Sequence, residues 1–270
     1  MLSFLKRLDE VGFEKSRRAV AALALSFFIS IYLMVALSAP PGWGPAFLAL
    51  AVCYVVAFLA LTAEWFWGRW FASGLGWSGM MVAILSLVMI GWTPPLAIYG
   101  ALHALVVVTL TGKKMAAQYD LQEGWRQRYA MDEFGVARLR KTVTRAAASL
   151  PSLILWALGP KESPGEGMLM AAAGIATLLA AAAGLRGLVR MRSWGWLLLA
   201  GSSAALWALG FVGSSVGLTL SAYPLRWFES IGFISGAANT AGVPQLLCAT
   251  LLALATLPFA GPALRFLRRR

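Results

Sequence analysis

Charge is what this sequence has least of. Of its 270 residues only 13% are charged and 60% are hydrophobic, where an ordinary soluble domain carries about a quarter charged and about half apolar residues. So few charges cannot cover a water-soluble fold of this size, which excludes a soluble enzyme and a disordered chain alike. Cysteine is scarce as well. Cys53 and Cys248 are the only two, both inside apolar runs, and two thiols make neither a disulfide scaffold nor a Cys-rich metal site; they read as small packing residues. Histidine occurs once, at His103. There is no HExxH pair, no Gly-rich nucleotide loop and no CxxC, so the spacings that hold zinc, a phosphate or a redox pair are missing. Ser235-Gly236 lacks a surrounding GxSxG, and the one histidine lies in another apolar run, which leaves serine-nucleophile chemistry without its partners. No cofactor is implied.

What remains is long apolar runs. They occupy approximately 19–39, 45–63, 77–93, 95–112, 146–160, 167–185, 194–220 and 243–264, with a mean hydropathy of +0.73 over the chain. A bilayer core takes about 20 apolar residues per helix. Lipid offers the backbone no hydrogen bonds, and nothing here alternates like a barrel strand, so the runs read as helices. The fold class expected is all-α: a polytopic transmembrane bundle of eight spans. The fifth run is the weakest, being short and containing Pro151, so it is expected to begin near Thr142 or to lie tilted.

The net charge of +12 then records orientation. With the N-terminus inside, the inner stretches hold Lys6, Arg7, Lys15, Arg17 and Arg18, then Arg69, then eight basic residues from Lys113 to Arg145. Arg186, Arg190 and Arg192 follow, and finally Arg265, Arg268, Arg269 and Arg270. That places 21 of 23 basic residues inside, with only Lys161 and Arg226 opposite. Such a division is the positive-inside signature and expects both termini in the cytoplasm of a bacterial-type inner membrane. Removing any one helix would invert the later links and destroy it. Ser16-Arg17-Arg18 before an apolar run imitates a twin-arginine export signal, but the run is long for one and Pro40-Pro41 follow it directly, so an uncleaved first helix is expected.

The chain also resembles itself. Shifted by 123 residues, Leu8-Asp9-Glu10-Val11-Gly12-Phe13 lies over Met131-Asp132-Glu133-Phe134-Gly135-Val136. Arg17 lies over Arg140, Pro41-Gly42-Trp43-Gly44 over Pro164-Gly165-Glu166-Gly167, and Arg69 over Arg192, with 15 identities in 62 columns. Alanine columns carry little weight; the Asp-Glu-x-Gly block, the basic cluster and the Pro-Gly-x-Gly turn are not compositional. A shift of 119 then matches Gly76-Trp77 with Gly195-Trp196, and a shift of 147 matches Thr109-Leu110 with Thr256-Leu257. Two parallel four-helix repeats follow: residues 1–112, a cytoplasmic linker 113–130, and residues 131–270 with an outer insertion at about 213–242.

Asp9-Glu10 and Asp132-Glu133 precede basic residues in each copy, an order that suits the helix dipole. Each leading segment also has an apolar side. Two readings stand: a short amphipathic helix on the inner leaflet, its Lys and Arg near anionic headgroups, or a plain basic anchor. The partners implied are a bilayer with anionic inner-leaflet lipids and a membrane protein; these charges do not support nucleic-acid binding.

Ionisable groups inside a membrane are costly and therefore informative. His103 sits near the middle of the fourth run, one turn after Tyr99 on the same face. It reads either as an interhelical hydrogen bonder or as a functional group; the second copy has Thr250 there. Glu64 lies among Trp65, Phe66, Trp67, Arg69, Trp70 and Phe71, an expected aromatic belt at the inner interface. Ala176, Ala180 and Gly184, and Gly213 and Gly217, are small-residue ridges for close packing. Asn239 and Gln245, with several serines and threonines, either line a path or hold helices together. In the insertion, Arg226 and Glu229 are three apart and can pair on one helix face beside Trp227, as an aromatic anchor or as a docking element. Catalytic and metal-binding residues are expected to be none. The function expected is a non-catalytic subunit or assembly partner of an envelope complex. The alternatives are a transporter or lipid-handling protein with a path between the repeats, and a lipid-modifying enzyme using His103 or Glu229.

Overall fold

An apolar chain in lipid must close its own backbone hydrogen bonds, and the described residues do so as helices. The structure, a computed structural model, describes residues 13–39, 42–128, 132–159, 164–190, 192, 194–215, 253–254 and 256–257. Among them there is no strand. Four helices, α1 (Glu14–Ser38), α2 (Gly44–Thr62), α3 (Gly68–Ile90) and α4 (Pro94–Thr109), pack as a ring, each on the next and α4 back on α1. Two short helices, α5 (Lys113–Asp120) and α6 (Glu123–Arg128), fold under it. Then α7 (Glu133–Leu158) packs on α3 and α2, α8 (Pro164–Val189) on α7, and α9 (Trp194–Ser215) on α8. Glu14–Ser38, Gly44–Thr62 and Gly68–Val88 are long and apolar enough to cross a membrane, and α4 with α5, bent by 72°, forms a fourth candidate. The chain is a helical membrane protein.

Local chemistry sets the boundaries. Pro94 and Pro95 occupy the first turn of α4, where a missing N–H costs nothing. Before them Gly91 has φ +95°, a conformation that ends α3. The C-terminus of α2 closes with Trp65 N–H donating to Ala60 O (3.0 Å) and Glu64 N–H to Leu61 O (3.3 Å). This Schellman arrangement puts Glu64 at φ 55°, a place glycine usually takes. At α7, Asp132 accepts a hydrogen bond from Gly135 N (2.6 Å). The Asp-Glu-x-Gly block is thus a helix N-cap; its first copy at residues 9–12 lies outside the described residues.

Three boundaries differ from the sequence expectation. α3 begins at Gly68 rather than near residue 77, so Arg69 and Trp70 belong to a helix, and both are buried. α7 begins at Glu133 rather than near residue 142 or 146 and runs through Pro151. The second leading segment is therefore not a separate surface helix: Val136, Leu139 and Val143 are buried along α7. The reason is α3, which offers that face a partner. Their approach depends on Gly74, where a Cβ would lie 2.4 Å from Thr144 O. Finally, α5 and α6 are no bare linker, because Met115, Tyr119 and Trp125 are buried in the main core.

Candidate functional site

Two polar constellations stand out, one at mid-depth in the four-helix ring and one at its basic end. The first is built around His103. It is fully buried, and every helix of the ring contributes to its surroundings. Phe28 and Tyr32 come from α1, Tyr54 from α2, Gly79 from α3 and Tyr99 from α4. A carbonyl only accepts, so Nδ1–H donates to Tyr99 O (2.9 Å). Nε2 of the neutral ring then accepts from the Tyr54 hydroxyl (2.8 Å). Beside it the Tyr32 and Tyr99 hydroxyls bond each other at 3.1 Å. The Phe28 ring packs on the imidazole with centroids 3.8 Å apart. The slot for the imidazole exists because residue 79 has no side chain.

The second constellation centres on Asp120 at the end of α5. Oδ2 accepts from Arg69 Nη2 (2.8 Å) and from Arg140 Nη1 (3.2 Å), and Oδ1 accepts from Trp70 Nε1 (2.7 Å) and again from Arg69 Nη2 (3.0 Å). Arg69 also donates to Leu110 O (3.2 Å). The same helix end is capped by Arg17, which is buried and donates to Val108 O, Thr109 O and Thr111 O. Two guanidiniums thus meet the carbonyls that α4 leaves without helical partners, at the negative end of its dipole. Around them Tyr119 donates to Leu61 O (2.9 Å), and Trp125 stacks on Phe66 with centroids 4.2 Å apart.

The structure brings together two of the residues singled out from sequence, Tyr99 and His103. Arg226, Glu229, Asn239 and Gln245 lie outside the described residues, as do Ser235 and residues 216–242 of the insertion. Glu64 pairs with Arg18 at the surface. The expected aromatic belt divides: Trp65 is exposed, whereas Trp70 and Phe71 turn into the core. Sequence reasoning missed Asp120. The available signal was that it and Glu123 are the only carboxylates between Lys113 and Arg128. Among the described residues no group of three or more His, Cys, Asp or Glu is placed to hold a metal ion. No family model matches the chain, and neither a curated protein nor a solved structure does.

Proposed function

We propose that the chain is a non-catalytic subunit or assembly partner of a complex in a bacterial-type inner membrane. In this reading it has eight spans, arranged as two parallel four-helix repeats with both termini in the cytoplasm. The observation that carries the functional part is the state of His103. It is the only histidine, both of its nitrogens are engaged by Tyr99 and Tyr54, and Phe28 and Gly79 press on its ring. A ring so enclosed holds helices together and offers no nitrogen to a substrate.

The repeat reading is supported by α7, α8 and α9 packing in sequence order, as α1, α2 and α3 do. It is also supported by Thr109 and Thr256, matched by sequence, which are both buried and both bond carbonyls of their own turn. The sidedness rests on the 21-to-2 division of basic residues.

The test is purification from the native host in a gentle detergent, with a deletion strain complemented by His103→Gln. A membrane protein should co-purify in fixed stoichiometry, and the His103→Gln chain, if it accumulates normally, should complement. A chain that purifies alone, and whose folded His103→Gln variant fails to complement, overturns the reading.

A further inference from the structure

A cleft of about 410 Å³ opens beside α7, lined by Phe134, Ala137, Arg138, Lys141, Arg145 and Leu257. This is within the size range of small-molecule sites. Phe134, Arg138, Lys141 and Arg145 follow a 4-3-4 spacing and so share one helix face, opposite the face that Val136, Leu139 and Val143 bury. The wall is amphipathic. Phe134 is 76% exposed and Leu257 59% exposed, while the three cations occupy about 10 Å along the helix axis. Arg145 is held from one side, its Nη1 donating to Leu254 O at 2.6 Å; Arg138 and Lys141 make no ion pair among the described residues. No Asp or Glu is among the lining residues; Glu133, at the helix start, is exposed and outside them.

We propose that this cleft is a headgroup site for an anionic glycerophospholipid. Three cations on one face, without a carboxylate in the lining, call for a phosphate-bearing ligand. The apolar stretch that begins directly beyond Arg145, together with the exposed Leu257 in the lining, calls for a ligand with acyl chains, which a soluble phosphate lacks. The position fits as well. Directly after Arg145 the sequence turns apolar from Ala146, so the cations stand at the border where headgroups meet acyl chains, the setting in which basic pockets between helices hold anionic lipids. α7 is about 39 Å long, against a hydrocarbon core of about 30 Å, so its basic turns reach beyond the core. The site deepens the anionic-leaflet reading of the sequence. It needs no partner protein, so its test is separate from that of the assembly reading.

The experiment is a titration of the purified full chain, in a zwitterionic detergent, with phosphatidylglycerol, phosphatidylcholine and soluble glycerol phosphate, reading bound adducts by native mass spectrometry. Phosphatidylglycerol should bind saturably and at least ten-fold more tightly than the other two. Arg138→Gln/Lys141→Gln/Arg145→Gln should weaken it by ten-fold or more, at about five-fold per cation near an anionic surface. Lys113→Gln/Lys114→Gln, which removes exposed charge elsewhere, should leave it unchanged. Equal loss in both variants would show diffuse charge attraction, and equal binding of glycerol phosphate would show a soluble-phosphate site; either overturns the proposal. Should the triple variant fail to fold, Lys141→Glu alone, at an exposed position, should still weaken binding more than five-fold. Unchanged binding there overturns the proposal too.

Discussion

Gly79 faces His103 so closely that a Cβ on residue 79 would lie 2.1 Å from the imidazole Cδ2. The pair is a mutual constraint between α3 and α4: the ring fills the space that the missing side chain leaves. Gly79→Ala should therefore force the ring off its bonds to Tyr54 and Tyr99, at about 1–3 kcal/mol for overpacking. Thermal unfolding in detergent measures it. The check is the pair Gly79→Ala/His103→Ala, in which the added methyl should cost much less than it does beside the intact ring. Strict additivity would show that the two residues do not restrain each other.

Removal of the Tyr54 hydroxyl should be costly out of proportion to its size. Tyr54→Phe keeps the ring that packs on Phe28 but leaves His103 Nε2 buried without its donor. The expected loss is about 1–3 kcal/mol, again read by unfolding. Tyr32→Phe, by contrast, removes a bond between two hydroxyls and leaves no imidazole nitrogen unpaired, so a smaller loss is expected there.

Asp120 should be among the least replaceable polar residues. Asp120→Asn keeps the shape but leaves Arg69 buried beside Arg140 without a counter-charge, and breaking a buried pair in this way costs about 3–5 kcal/mol. Arg69→Met/Asp120→Leu removes both buried charges. Because the Arg140 side chain is 42% exposed, it can turn to water, so the double variant should be more stable than Asp120→Asn. The reverse order, measured by chemical or thermal unfolding, would show that an unpaired Arg69 is not what makes Asp120→Asn costly.

The topology expected from the basic residues is open to thiol labelling. In a chain with Cys53 and Cys248 replaced by alanine, cysteines at Lys161 and Arg226 should react with an impermeant reagent in intact cells. Those at Lys114, Arg126 and Arg190 should react only after the membrane is opened. Arg69 is unsuitable as a reporter because it is buried in the Asp120 pair. Labelling of Arg126 from outside would overturn the eight-span arrangement.

Much of this was legible without coordinates, and the reasons differ by residue. That the chain is helical and membrane-borne follows from apolar run length and the want of charge, which act one residue at a time. The ends of α1, α2 and α4 lie within a few residues of expectation, because Pro40-Pro41, Gly44-Pro45 and Pro94-Pro95 punctuate the chain locally. That Tyr99 and His103 share a face is helical spacing alone. The tertiary structure decided what each polar group meets. Arg69 and Arg192 occupy matched positions in the sequence, yet Arg69 is buried against Asp120 and Arg192 is exposed; no local pattern tells them apart, since the difference lies in α5 folding beneath α3. The start of α7 was misjudged for the same reason. Its basic residues look like a solvated leader until α3, thinned by Gly74, supplies the surface that Val136, Leu139 and Val143 bury. Composition and periodicity report what a segment can bury or expose, whereas partners separated by fifty residues, such as Tyr54 and His103 or Arg69 and Asp120, meet only when helices pack.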